Sequence, residues 1–111
     1  MAPPFTAAAE RRDDATWIVT VSGELDLATA PELEAVFEGV AATASDRVLV
    51  DLGQVSFLDS SGIRALVRAK RRLDVIGAPF VIDAVSDAAR QVLEISGVLD
   101  ALSERTPDDG D

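Results

Sequence analysis

Cysteine and histidine are both absent from this chain of 111 residues. Without cysteine there is no disulfide framework and no thiolate metal site, and a reducing, cytoplasmic setting fits. Without histidine the usual general base and the commonest metal ligand are missing too, and the thiol nucleophile went with cysteine. An enzyme would have to be assembled from Asp, Glu, Ser, Arg and the single lysine, Lys70. No apolar run approaches the roughly 20 residues that a membrane helix needs. Residues 1–9 lack the basic start and apolar core of a signal peptide. Positive charge is scarce: 10 basic residues face 20 acidic ones, for a net charge of −10. Phosphate backbones would be repelled over most of such a surface, which disfavours nucleic-acid binding.

What is present suits one ordinary domain. The chain is 48% hydrophobic and 27% charged, enough apolar material for a core. Residues 1–4 read as a loose tail and residues 104–111, acidic with Pro and Gly, as a disordered one. Residues 5–9 read as an edge strand and 11–15 as a turn. Trp17, Val19 and Val21 alternate with Thr16, Thr20 and Ser22, which predicts a strand over 16–22 although Ile18 breaks the pattern. Residues 23–28 read as a loop. Thr29, Pro31 and Glu32 have the pattern of a helix start with a capping box. Leu33, Val36, Phe37 and Val40 then recur at helical spacing to about residue 44.

Residues 48–52 are nearly all apolar, as in a strand covered on both faces. A short linker leads to Asp59-Ser60-Ser61-Gly62 and a helix to about residue 76, with Ile63, Leu66, Val67 and Leu73 inward. A strand over 80–82 follows, then a helix capped by Ser86 with Ala89, Val92, Leu93 and Ile95 apolar, then a short last element over 98–102. Alternating strands and helices imply an α/β fold with a largely parallel sheet and right-handed crossovers.

Ser60 is the residue that chemistry would single out. It has two readings. As an N-cap, its oxygen would accept a bond from a free backbone N–H of the following helix. As a phosphoacceptor, it would place an anion where the helix dipole favours one. Arg64, four residues on, lies on the same face and can pair with a phosphate; Asp59 opposes it by like charge.

The segment Val55-Ser56-Phe57-Leu58-Asp59-Ser60-Ser61-Gly62-Ile63 resembles the hallmark of the STAS domain, found in anti-sigma factor antagonists and sulfate transporters. Ser22-Gly23-Glu24-Leu25-Asp26 followed by Thr29 resembles a second recurrent segment, and Ile95-Ser96-Gly97-Val98-Leu99 the C-terminal helix end. Three motifs in order span nearly the whole chain, with residues 5–103 as the STAS domain. The resemblance implies a mixed, largely parallel β-sheet with helices packed against it, and a bacterial anti-anti-sigma factor that is not an enzyme. In that family the unmodified antagonist binds an anti-sigma factor that is a serine/threonine kinase, and sigma factor is released. Phosphorylation of the motif serine ends the binding, and a serine phosphatase resets it. By the family pattern the acceptor is Ser60, with Ser61 as the fallback. Asp26, Asp59, Ser60, Ser61, Gly62 and Arg64 make up the implied partner-binding surface. Neither cofactor, metal, nucleic acid nor membrane is implied. The alternative is a non-phosphorylated STAS subunit that docks on a transporter or scaffold complex.

Competing chemistries fit the residues less well. Asp51 ends an apolar strand, as a receiver-domain phosphoacceptor does, but the early acidic pair and the later strand lysine are missing; it is expected to bond loop backbone instead. Asp26, Asp51 and Asp59 come without a phosphate-binding loop, so Mg²⁺ is not expected. Residues around Ser60 form neither Gly-x-Ser-x-Gly nor Ser-x-x-Lys. Half of the basic residues, Arg64, Arg68, Lys70, Arg71 and Arg72, sit in one stretch. This is either a solvated helix face or a positive patch for an acidic partner.

Overall fold

The computed structural model describes residues 4–13, 15–43 and 47–103. The two tails expected at the ends lie outside the described residues, apart from the exposed Pro4. Four strands form one sheet: β1 (Thr6–Asp13), β2 (Thr16–Leu25), β3 (Arg47–Leu58) and β4 (Phe80–Val85), in that spatial order. β1 pairs antiparallel with β2, and the β2–β3 and β3–β4 pairs are parallel. The helices are α1 (Ala30–Thr43), α2 (Ser60–Val75), α3 (Asp87–Ile95) and α4 (Leu99–Ser103). Parallel neighbours need crossovers, and α1 and α2 supply them.

The expected fold class holds, while all four strands are longer than expected, β4 reaching Val85 rather than residue 82. β1 continues through Arg11 to Asp13, where a turn was expected, because Arg11 stacks on Trp17 across the pair, 5.5 Å from the ring centre. β2 runs on to Leu25, shortening the expected loop, and β3 runs to Leu58, replacing the expected linker. The core positions of β3 explain why its second half hides from periodicity. Val48, Val50 and Leu52 alternate, but the next buried residues are Val55 and Leu58, three apart each time. Against β2, Thr20 pairs with Asp51 and Ser22 with Gln54, then Gly23 with Val55 and Glu24 with Phe57. β3 thus carries one extra residue in each interval, two bulges that re-phase the strand. Asp51 sits inside the strand, not at its end. Its Oδ1 accepts the Gly53 backbone N–H at 2.8 Å, so it braces the first bulge rather than a loop.

Leu33, Phe37 and Val40 of α1 and Leu66 and Leu73 of α2 join Val19, Val21, Val48 and Val50 in one core. Ala89 and Leu93 anchor α3 there, whereas Ile95, the last of its apolar residues, is 79% exposed. Ile95 lies two residues beyond Leu93, about 200° around the helix, so it faces away from the core at the last helical position. Ser86 caps α3 as expected, accepting from Ala89 N, and donates its own proton to the Val55 carbonyl. No helix among the described residues is long and apolar enough to cross a membrane.

Candidate functional site

β3 delivers the chain directly into α2. Asp59 stays extended (φ −119°, ψ −172°) and is the N-cap. Its Oδ1 accepts the Ser61 N–H at 2.9 Å and the Gly62 N–H at 3.2 Å, and its carbonyl accepts the Ile63 N–H at 3.0 Å. The expectation that Ser60 caps this helix is therefore corrected: Ser60 is the first residue inside it. A carboxylate is the stronger acceptor and also brings negative charge to the positive end of the helix dipole. With the cap supplied by its neighbour, the Ser60 hydroxyl is exposed and hydrogen-bonds to no described residue. Ser61, next along, is half-buried.

Gly62 sets how closely α2 approaches the strands. A Cβ there would lie 2.6 Å from Leu58 Cδ1, 2.7 Å from Leu25 Cγ and 2.9 Å from the Leu25 carbonyl oxygen. Only glycine lets the first turn of α2 rest on the ends of β2 and β3. The Asp59 N–H completes the junction by donating to that same Leu25 carbonyl at 3.3 Å.

Asp26 follows Leu25 and so sits beside this helix start. Its Oδ1 accepts from Ala28 N (3.0 Å) and Thr29 N (3.1 Å), and its carbonyl accepts from Ala30 N (2.8 Å). The loop is thus folded around one carboxylate. Thr29 does not form the expected capping box. Its hydroxyl donates to the Glu24 carbonyl at 2.8 Å and accepts the Asp26 N–H at 2.9 Å, while its backbone carbonyl takes the Glu32 N–H. Upstream, Gly23 turns the strand at φ +93°, a conformation other residues adopt with strain, and a Cβ there would meet Phe5 Cα at 2.9 Å.

The structure brings Asp26, Asp59, Ser60, Ser61 and Gly62 to one end of the parallel sheet, joined through Leu25. Arg64 is exposed one turn along α2, and no ion pair holds it among the described residues. Two apolar side chains at the same end were missed by sequence reasoning. Leu27, at the tip of the Asp26 loop, is 77% exposed, and Phe57, paired with Glu24, is 47% exposed. Leu27 carried a usable signal, an apolar residue within a loop; Phe57 carried none, because its orientation depends on the bulges of β3. Among the described residues no group of acidic side chains is placed to hold a metal ion.

Comparison with known proteins places the family of this small α/β domain. The family model described as "Mlab, STAS domain" matches residues 8–104. The chain belongs to the STAS domain family. Relatives that it matches over most of their length include anti-sigma factor antagonists. It is 34% identical over 89 residues to the anti-sigma-B factor antagonist of Staphylococcus aureus, covering 80% of this chain and 82% of that protein. Its fold superposes on the crystal structure of an anti-sigma factor antagonist from Mycobacterium paratuberculosis with a TM-score of 0.77 and 32% identity, over 96% of this chain and 90% of that one. The Bacillus cell fate determinant SpoIIAA in its phosphorylated form shares the fold, with a TM-score of 0.67 and 19% identity over 94% and 95% of the two chains.

Proposed function

We propose that this chain is an anti-sigma factor antagonist that works in the cytoplasm as a binding protein and is switched by phosphorylation of Ser60. The unmodified form binds an anti-sigma factor that is itself a serine/threonine kinase, and sigma factor is released. Phosphate on Ser60 ends that contact, and a serine phosphatase restores it. Asp26, Asp59, Ser60, Ser61 and Arg64 form the surface, whereas Gly62, expected on it, is buried and instead seats the helix that carries it. The observation that carries this reading is the free, exposed Ser60 hydroxyl, left without a structural task because Asp59 caps the helix. The curated relatives named as anti-sigma factor antagonists support the partner class.

Modification at this position leaves the fold standing. No described hydrogen bond uses the hydroxyl, and a phosphate of about −1.5 to −2 charges at a helix N-terminus is favoured by the dipole. The change falls on whatever touches the surface. Turning a 99:1 bound population into 1:99 takes about 5.5 kcal/mol of differential affinity. A doubly charged group buried against a partner supplies energy of that order when nothing there compensates it.

The test is intact mass and site mapping after incubation with the cognate anti-sigma kinase and ATP. One phosphate on Ser60, absent from Ser60→Ala, is expected. An active kinase that leaves both Ser60 and Ser61 unmodified would overturn the switch and leave a constitutive docking module.

A further inference from the structure

The exposed residues of α2 are Ser60, Arg64, Arg68, Arg71, Arg72 and Val75, and none of them is acidic. At 3.6 residues per turn they fall within an arc of about 120°. Lys70 is turned aside, with its side chain only 13% exposed, and pairs with Asp74 at 3.3 Å. The arginines therefore form a ridge that runs from Ser60 along the helix, on a chain whose net charge is −10.

An ordinary solvated helix face mixes signs, as α3 does with its Arg90–Glu94 pair. Here Arg64, Arg68 and Arg72 stand at successive i, i+4 positions, where like charges weaken a helix. The only ion pair to the ridge among the described residues joins Arg68 to Glu34 of α1, at 3.4 Å and well exposed, so it is worth little. Arg68 and Arg72 flank a groove shared with Glu34 and Glu38; Arg64 and Arg71 lie outside it, nearer Ser60 around the helix. Arginine forks match carboxylates two bonds at a time.

We propose that Arg64, Arg68, Arg71 and Arg72 form a docking ridge for an acidic protein surface, carried by the anti-sigma factor. This rests on the reading above and adds the partner's chemistry: negative charge opposite α2. It also explains the switch. A phosphate on Ser60 sits at the head of the ridge, offsets the nearest arginine charge and repels the incoming carboxylates. Anionic membranes and nucleic acids fit less well, because their extended charge would also meet the acidic remainder of the chain.

The first experiment needs no natural partner. Poly-L-glutamate is titrated into the isotopically labelled protein, and arginine side-chain Nε–Hε signals are followed by NMR at 20 mM salt. Perturbations confined to Arg64, Arg68, Arg71 and Arg72 are expected, with at least tenfold weaker binding in Arg71→Glu, whose fold is checked by circular dichroism. Equal shifts at Arg11, Arg47 and Arg90, or an unchanged affinity in Arg71→Glu, would overturn the ridge. So would tighter binding of phosphatidylglycerol vesicles through the same arginines. The second experiment uses the anti-sigma kinase in stopped flow: Arg71→Glu should associate at least tenfold more slowly at 50 mM salt, converging on wild type at high salt, with dissociation unchanged. A wild-type association rate alongside intact phosphorylation of Ser60 would sink the ridge and leave the switch standing. Failure of phosphorylation with retained poly-L-glutamate selectivity would do the reverse.

Discussion

Asp59 Oδ1 lies 2.9 Å from the Ser61 backbone nitrogen, and this one contact relieves Ser60 of any capping duty. Helix start and chemical handle are thereby assigned to adjacent residues. The bonds that hold the helix start are those of Asp59, and none of them uses the Ser60 hydroxyl.

Asp59→Ala should therefore destabilise the protein by about 1 kcal/mol, the usual worth of an N-cap. Ser60→Ala should change stability by less than about 0.5 kcal/mol, as for an exposed side chain without partners. Chemical denaturation of the two variants decides between them. If Ser60→Ala were the more damaging, the capping assignment would be wrong.

Gly62→Ala should be far worse than its single methyl suggests. The Cβ would press on Leu58, Leu25 and the Leu25 carbonyl at 2.6–2.9 Å, and overpacking of this kind costs about 1–3 kcal/mol. A lowered melting temperature should come with weaker partner binding, because α2 must lift away from β2 and β3.

Ser60→Asp should keep the fold and lose affinity for the anti-sigma kinase, measured by calorimetry beside circular dichroism. Ser60→Ala should bind as wild type does and resist release by ATP. Wild-type affinity in Ser60→Asp would count heavily against the switch.

Leu27→Ser and Phe57→Ser test the exposed apolar pair that flanks the serine. Each should weaken partner binding tenfold or more, about 1.4 kcal/mol, with the melting temperature held. Exposed apolar side chains at the centre of an interface are the usual anchors. Unchanged affinity in both variants would place the contact elsewhere.

Much of this architecture was legible in the residues themselves. The β2 alternation, the α1 stripe and the Ser86 cap follow from local periodicity and hydrogen-bonding chemistry, which act within a few residues. The second half of β3 was not legible, because its burial at Val55 and Leu58 depends on pairing with β2, a long-range fact. Thr29 misled for a related reason. Its hydroxyl satisfies Glu24 and Asp26 across a loop, a partnership that no helix-start pattern records. Ile95 follows Val92 at helical spacing but is the last residue of α3 and lies about 200° around the helix from the buried Leu93.

The two bulges in β3 make chain length itself carry information. Removing one residue between Asp51 and Phe57 would spare the Asp-Ser-Ser-Gly letters, yet it would reverse which face of the sheet each intervening side chain occupies. A variant with every motif residue intact but a different count there would wear its partner-facing side chains inside out.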